Sequence, residues 1–230
     1  LANAENSVKQ KPSERGMLEI RGSDISIPSN KVRYVANALE LKYNYTRLDL
    51  AAGEQKSEAQ LKVHPAGKVP AIVDDGFALF ESNAICRYLV RKHNSPLYPE
   101  DLKQTALVDQ WIDFGSMHVG AAMIKVFFNK IIAPAMGLDV DERSMHEGSA
   151  FLGNFLPVVE QQLLGNTYVA GEVMTLADIN LLANLDPAEL CDIDLSDYSG
   201  LSMWRSDLKQ QAFYQRCFND YSDVIKALAD

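Results

Sequence analysis

Apolar positions in the first ninety or so residues fall in short runs of two different periods, and beyond residue 101 they keep largely to the helical one. Residues 17–22, "MLEIRG", form a short strand candidate, and "SDISIPSN" after them is a loop of small polar residues. Val32, Val35, Ala36 and Leu39 sit at helical spacing and predict a helix from about Asn30 to Leu41. "YNYTRLDL" alternates and carries β-formers, which predicts a second strand. Residues 51–66 are polar and predict loop with a short helix. "VPAIVDD" and "FALF" read as two strands joined at Asp75-Gly76, a strong hairpin signal. Ser82 then precedes a helix with Ile85, Tyr88 and Leu89 on one side.

"NSPLYPED" at 94–101 has two prolines and no apolar period, as a linker would. The span 102–132 is partly apolar all round, so at least one of its faces must be buried. Further helices are expected over 143–164 and 175–186, with one or two more in 204–226. The order βαβ, loop, ββα, then helices throughout predicts an α/β plus all-α fold. A thioredoxin-like domain over 17–93 is followed by a linker over 94–101 and an all-helical domain over 102–230.

Of the 230 residues, 47% are hydrophobic, enough for a sizeable core. The chain carries 22 basic and 31 acidic residues, a net charge of -9. That balance argues against nucleic acid or an anionic membrane as partner, and leaves room for a small anionic ligand at a local positive site. Cys86, Cys191 and Cys217 are scattered and odd in number, which points to a reducing, cytoplasmic compartment rather than a disulfide framework. The four histidines lack metal-ligand spacing, so no metal is expected. No apolar run reaches membrane-spanning length. Residues 1–16 are polar and are expected to be a disordered extension, with Met17 as the natural start.

Candidate chemistry gathers in "HPAGKVPAIVDDGFALFESNAI", residues 64–85. Pro70 either starts an edge strand or follows a cis bond. In the second case the backbone of Val69 turns outward and can pair with an extended peptide. Ser82 can cap the helix it precedes. Alternatively Glu81, Ser82 and the free N–H groups behind them receive a small ligand carrying both charges, since a helix N-terminus welcomes an anion. Ser23, Ser26 and Ser29 have capping or turn chemistry as their ordinary role. One such hydroxyl at a helix N-terminus can also donate to a thiolate. A free thiol has a pKa of about 8.5, and a modest shift leaves it ionised and nucleophilic at neutral pH.

The stretches "SIPSNKVRYVANALEL", "GEQK" and "HPAGKVPAIVDDGFALFESNAICRYL", with the weaker "YVAGEVMTLAD" at 168–178, resemble the soluble, cytosolic-type glutathione transferases. The resemblance covers residues 17 to about 226 and is nearest to the serine-type phi and theta classes. It implies that Ser26 donates its O–H to the glutathione sulfur. It also implies that the Val69 backbone before a cis Pro70 pairs with the cysteinyl part, beside Lys68. Glu81 and Ser82 match the pair that holds the γ-glutamyl end, and Lys56 a lysine near the glycine carboxylate. Gln55 replaces the histidine common in phi members, and Asn83 stands where they usually have arginine, so a positive group is absent there.

Within "TLAD", Thr175 and Asp178 have the spacing of a capping box, a folding signal. The family places a hydrophobic electrophile between the domains, for which Phe114, His118, Val119 and Met123 are candidate walls, with core packing the competing role of each. Glutathione is then a co-substrate, with no tightly bound cofactor, and a homodimer is expected. A glutathione-dependent peroxidase side activity fits the same site. Two alternatives are a non-catalytic binding or interaction module of the same fold and a cysteine-type reductase. The latter needs a cysteine where Ser26 stands.

Overall fold

A computed structural model describes residues 16–217 together with 221 and 225. The expected polar extension, apart from Gly16, and most of the stretch after 217 lie outside the described residues. The chain opens with β1 (Leu18–Gly22), α1 (Ile27–Ala38) and β2 (Tyr43–Arg47), and β1 and β2 pair in parallel. Helix α1 begins three residues before the expected start. Pro28 stands in its first turn, where a missing N–H costs nothing, and Ser26 caps it. A 3₁₀ turn, Glu54–Lys56, and the four-residue α2 (Glu58–Leu61) lead to β3 (Ala71–Asp74) and β4 (Phe77–Phe80). β3 runs antiparallel to β1, and β4 antiparallel to β3, giving the order β2-β1-β3-β4. At the hairpin, Asp75 and Gly76 take φ of 48° and 82°, the two positive values that such a tight turn requires.

Helix α3 (Ser82–Lys92) corrects one expectation. Ser82 is its first residue, and the cap position belongs to Glu81, whose side chain makes no capping bond. The all-helical part follows. Helices α4 (Leu102–Asp113), α5 (Ala121–Phe127) and α6 (Ala133–Ala135) run on as one helix through π-helical segments at Phe114–Gly120 and Phe128–Ile132. No residue pattern announced those widened turns. Gly115 lies in the first of them, and a Cβ there would stand 2.6 Å from Asn180 Oδ1, so the glycine admits the neighbouring helix. Helices α7 (Glu142–Gly165), α8 (Leu176–Leu185), α9 (Ser199–Lys209) and α10 (Ala212–Gln215) complete the described elements.

Every residue of α8 is buried. Its start is the predicted capping box, with both reciprocal bonds made by Thr175 and Asp178. Asp178 does more than cap. Its carboxylate accepts from the N–H of Val169 (2.9 Å) and of Thr175 (2.8 Å), and from Trp204 Nε1 of α9 (3.0 Å). Leu97, between α3 and α4, accepts through its carbonyl from the Leu176 N–H at 2.8 Å, tying that connection to the same point. Helix α1 packs against α8 and α10. Tyr34 donates to the buried Asp186 at 2.8 Å, as do Tyr214 and Tyr221, and Asn37 Nδ2 donates to Phe213 O at 3.0 Å. One hydrophobic core therefore runs through both parts, from Ile20 and Val35 to Leu182 and Leu201.

Replacing Asp178 by Ala leaves the Val169, Thr175 and Trp204 donors buried without an acceptor. The expected loss is about 3–4 kcal/mol of unfolding free energy, read from urea denaturation. A loss below about 1 kcal/mol would mean that the carboxylate does not organise this junction.

Candidate functional site

The loop between β1 and α1 sorts the three serines. Ser29 is fully buried, and its Oγ accepts from the Ser23 N–H at 3.3 Å. Ser23 is buried as well. Ser26 is half-buried, and its Oγ accepts from the Ser29 N–H at 3.3 Å, so its own O–H hydrogen remains available to a ligand. Ser26 also stands at the positive end of the α1 dipole. The Val69–Pro70 peptide bond is cis. Among the described residues, neither the N–H nor the C=O of Val69 is engaged. Gln60, fully buried, supports this loop by donating from Nε2 to Lys68 O at 2.8 Å.

Lys68 and Lys56 are exposed, and Lys56 Nζ donates to Ala66 O at 3.1 Å. Gln55 donates to Leu50 O at 3.3 Å, while its Oε1 is buried without a partner. Glu81 is exposed and holds φ at 71°, a conformation that costs a non-glycine residue about 1–3 kcal/mol and needs its surroundings to enforce it. Ser82 follows in the first turn of α3, half-buried.

The sequence reading missed Lys31. It is 5% exposed, and its Nζ lies 2.9 Å from Asn83 Oδ1 and 3.5 Å from Ser82 Oγ. Burial pushes its ammonium down to about 8, with Cys86 and Glu81 favouring the charged form and Arg87 opposing it. A signal was present: Ile27, Lys31 and Val35 are four apart, which puts a lysine in the apolar stripe of α1. Asn83 in turn donates to Ser116 Oγ at 3.0 Å. Asn180 Nδ2 of α8 donates to both Asn83 Oδ1 (3.0 Å) and Ser116 Oγ (2.9 Å).

The candidate electrophile walls divide. Val119 and Met123 are fully buried, so they belong to the core and offer no surface to a substrate. They lie on the inward face of the helix, while Met117, Ile124 and Phe128 lie on its exposed side. Phe114 is half-buried and His118 exposed; their rings lie 5.2 Å apart, and both pack on Phe155 of α7, at 5.9 and 5.0 Å.

Residues 23–91 match the family model of the glutathione S-transferase N-terminal domain, and residues 120–212 that of the C-terminal domain. The chain belongs to the glutathione transferase superfamily. Glutathione S-transferase F10 of Arabidopsis thaliana is 29% identical, over 79% of this chain and 87% of that protein. A solved glutathione S-transferase-I bound with lactoylglutathione is 28% identical with a TM-score of 0.81, covering 92% of this chain and 99% of that one. A delta-class glutathione transferase of Nilaparvata lugens is 27% identical with a TM-score of 0.78, again over 92% and 99%. This transferase conjugates glutathione, its co-substrate, to electrophiles.

The transferase's three cysteines are free and buried. Burial pushes the thiols of Cys86 and Cys191 up to about 12 and that of Cys217 up to about 11, which leaves all three protonated and poor nucleophiles at neutral pH. Among the described residues there is no group of three or more His, Cys, Asp or Glu that could hold a metal ion, and no helix long and apolar enough to cross a membrane.

Gly67, at φ 59°, lies under Lys56: an added Cβ would stand 2.7 Å from its Cδ and 3.0 Å from Gln55 O. Gly137, at φ 64°, has nothing within 4 Å. Both Ala substitutions are expected to lose about 1 kcal/mol to backbone strain, and Gly67→Ala about 1 kcal/mol more from the contact. Urea denaturation of the two variants compares them, and equal losses would show that the Lys56 loop yields freely.

Proposed function

We propose that this glutathione transferase is of the serine type, nearest the phi and theta classes, with Ser26 as the hydroxyl that stabilises the glutathione thiolate. The observation that carries the reading is the contrast among three neighbouring serines. Ser23 and Ser29 are buried, while Ser26 keeps both an exposed surface and an uncommitted O–H at a helix N-terminus. A donated hydrogen bond and a helix dipole both favour the charged sulfur, so the thiol releases its proton to solvent near neutral pH. Ser26 itself forms no covalent bond.

Glutathione lies extended along the first part of the chain. The unengaged N–H and C=O of Val69, before Pro70, pair with its cysteinyl residue as an added strand would. Glu81 meets the γ-glutamyl ammonium, and Ser82 with the first turn of α3 meets the carboxylate beside it. Gln55, Lys56 and Lys68 lie toward the glycine end. The thiolate attacks an electrophilic carbon, or a peroxide oxygen as a side activity, of a hydrophobic molecule held against Phe114 and His118. Fixed dipoles supply charge stabilisation, and the shared cleft supplies proximity. In this reading residues 17–93 bind glutathione, 94–101 link, and 102–230 form the helical domain.

The assembly we propose is a cytoplasmic homodimer. Phe77 and Phe80 are 51% and 39% exposed on edge strand β4, and Met117 is 71% exposed on the long helix; a second copy would cover them. Sedimentation should give a dimer, and Phe77→Glu should shift it toward monomer. A wild-type monomer at all concentrations tested would remove the dimer.

In a conjugation screen, Ser26→Ala is expected to lower kcat by about a hundredfold while the KM for glutathione changes little. Equal turnover by both proteins would take Ser26 out of its role. Tight glutathione binding with no conjugation of any electrophile would favour a non-catalytic binding module.

A further inference from the structure

We propose that Lys31 is a positioning residue of the glutathione site, whose buried ammonium supplies the counter-charge for the free α-carboxylate of the γ-glutamyl end. This rests on the reading that Ser82 and the first turn of α3 receive that end.

A buried charge needs an opposite charge or a full set of hydrogen bonds. Among the described residues Lys31 forms no ion pair, although it is only 5% exposed. Its hydrogen-bond acceptors are neutral oxygens, Asn83 Oδ1 at 2.9 Å and Ser82 Oγ at 3.5 Å. Both belong to the first two residues of the eleven-residue helix α3, whose leading N–H groups have no partner within the helix. The ammonium and the helix N-terminus therefore add their positive potentials at one place. An anion arriving there completes the pairing that the protein leaves open.

The contact also sets the direction of a proton. The ammonium points N–H at Ser82 Oγ, so the hydroxyl's own hydrogen turns away and stands ready to donate to a carboxylate. Asn83 is not free to do this. Its Oδ1 accepts from Lys31 and Asn180, and its Nδ2 donates to Ser116. Glu81, the residue before Ser82, is exposed, and an acid next to this positive turn suits a ligand with a carboxylate and an ammonium on one carbon. The titratable groups of α3 and its cap that act on Lys31 are Cys86, Arg87 and Glu81, and α8 brings only the neutral Asn180 to this network.

The sign of the pH effect follows. The folded-state value of about 8 lies below the ordinary 10.5, so the buried cation lowers stability below pH 8. That loss is relieved as pH rises from there and the folded form releases the proton. Lys31→Met is accordingly expected to melt at a higher temperature than wild type near neutral pH, while binding the ligand less well. A merely structural lysine would give the opposite melting shift.

The test uses S-methylglutathione, which has no thiol proton, and its γ-glutamyl α-carboxamide, titrated by calorimetry from about pH 6.5 to about pH 9.5. Wild type is expected to prefer the carboxylate by about ten- to a hundredfold at neutral pH. The preference should fade as pH rises through about 8. Lys31→Arg should keep it throughout, because guanidinium does not titrate there, and Lys31→Met should bind the two ligands alike. The Arg variant meets the same ligand titrations, so its difference from wild type isolates Lys31 even if Lys31→Met fails to fold. An undiminished preference in folded Lys31→Met, or identical pH profiles for wild type and Lys31→Arg, would overturn the proposal. No binding of S-methylglutathione by wild type would instead remove the glutathione reading of this pocket, and the proposal with it.

Discussion

Asn180 of α8 donates to Asn83 at the start of α3 and to Ser116 in the π-helical segment, joining the ligand-facing end of the sheet domain to the interior of the helical one. That junction ties the start of α3 to both α8 and the π-helical segment. It fixes the first turn of α3, where Glu81 and Ser82 stand, relative to the long helix that carries Phe114 and His118. It is made of neutral amides and a hydroxyl, and stands beside a second polar contact between the two parts, the buried Asp186 carboxylate that accepts from Tyr34. Gly115 makes the approach possible, since any side chain there would displace Asn180.

A chain with a net charge of -9 has still to hold an anionic tripeptide. In the proposed site the answer is local. Two helices, α1 and α3, begin near one another, and their N-terminal turns carry Ser26 and Ser82. Lys31 lies buried inside α1 beside Ser82 and Asn83, in a region where a charge is screened less than a surface lysine's. Lys56 and Lys68 are exposed, where solvent screens them.

Much of the fold was legible from local signals. The Asp75-Gly76 hairpin and the capping box of Thr175 and Asp178 each act through neighbours in sequence, and each stands where expected. Boundaries were less secure. Helix α1 starts at Ile27 because Ser26 and Pro28 end the loop earlier than the apolar stripe suggests, and Ser82 lies inside α3 rather than capping it. The candidate site was legible as a set of motif positions, and the structure brings Ser26, Val69, Glu81 and Ser82 to helix starts and an unpaired loop. The electrophile wall was not legible. Helical spacing says which residues share a face but not which face meets solvent, and Val119 and Met123 turned out to face the core.

The sequence by itself determined the order of elements, the hairpin, the Thr175–Asp178 capping box and the residues carrying the family resemblance, because each depends on a few consecutive side chains and the backbone between them. Tertiary structure alone decided which serine keeps an open hydroxyl, that Lys31 is buried beside Ser82, and that Asn83 is spent on a network. The last two outcomes rest on pairs distant in sequence, such as Lys31 with Ser82, 51 positions apart, and Asn83 with Asn180, 97 apart. Burial and hydrogen-bond partnership are properties of the packed neighbours, and no local period encodes them.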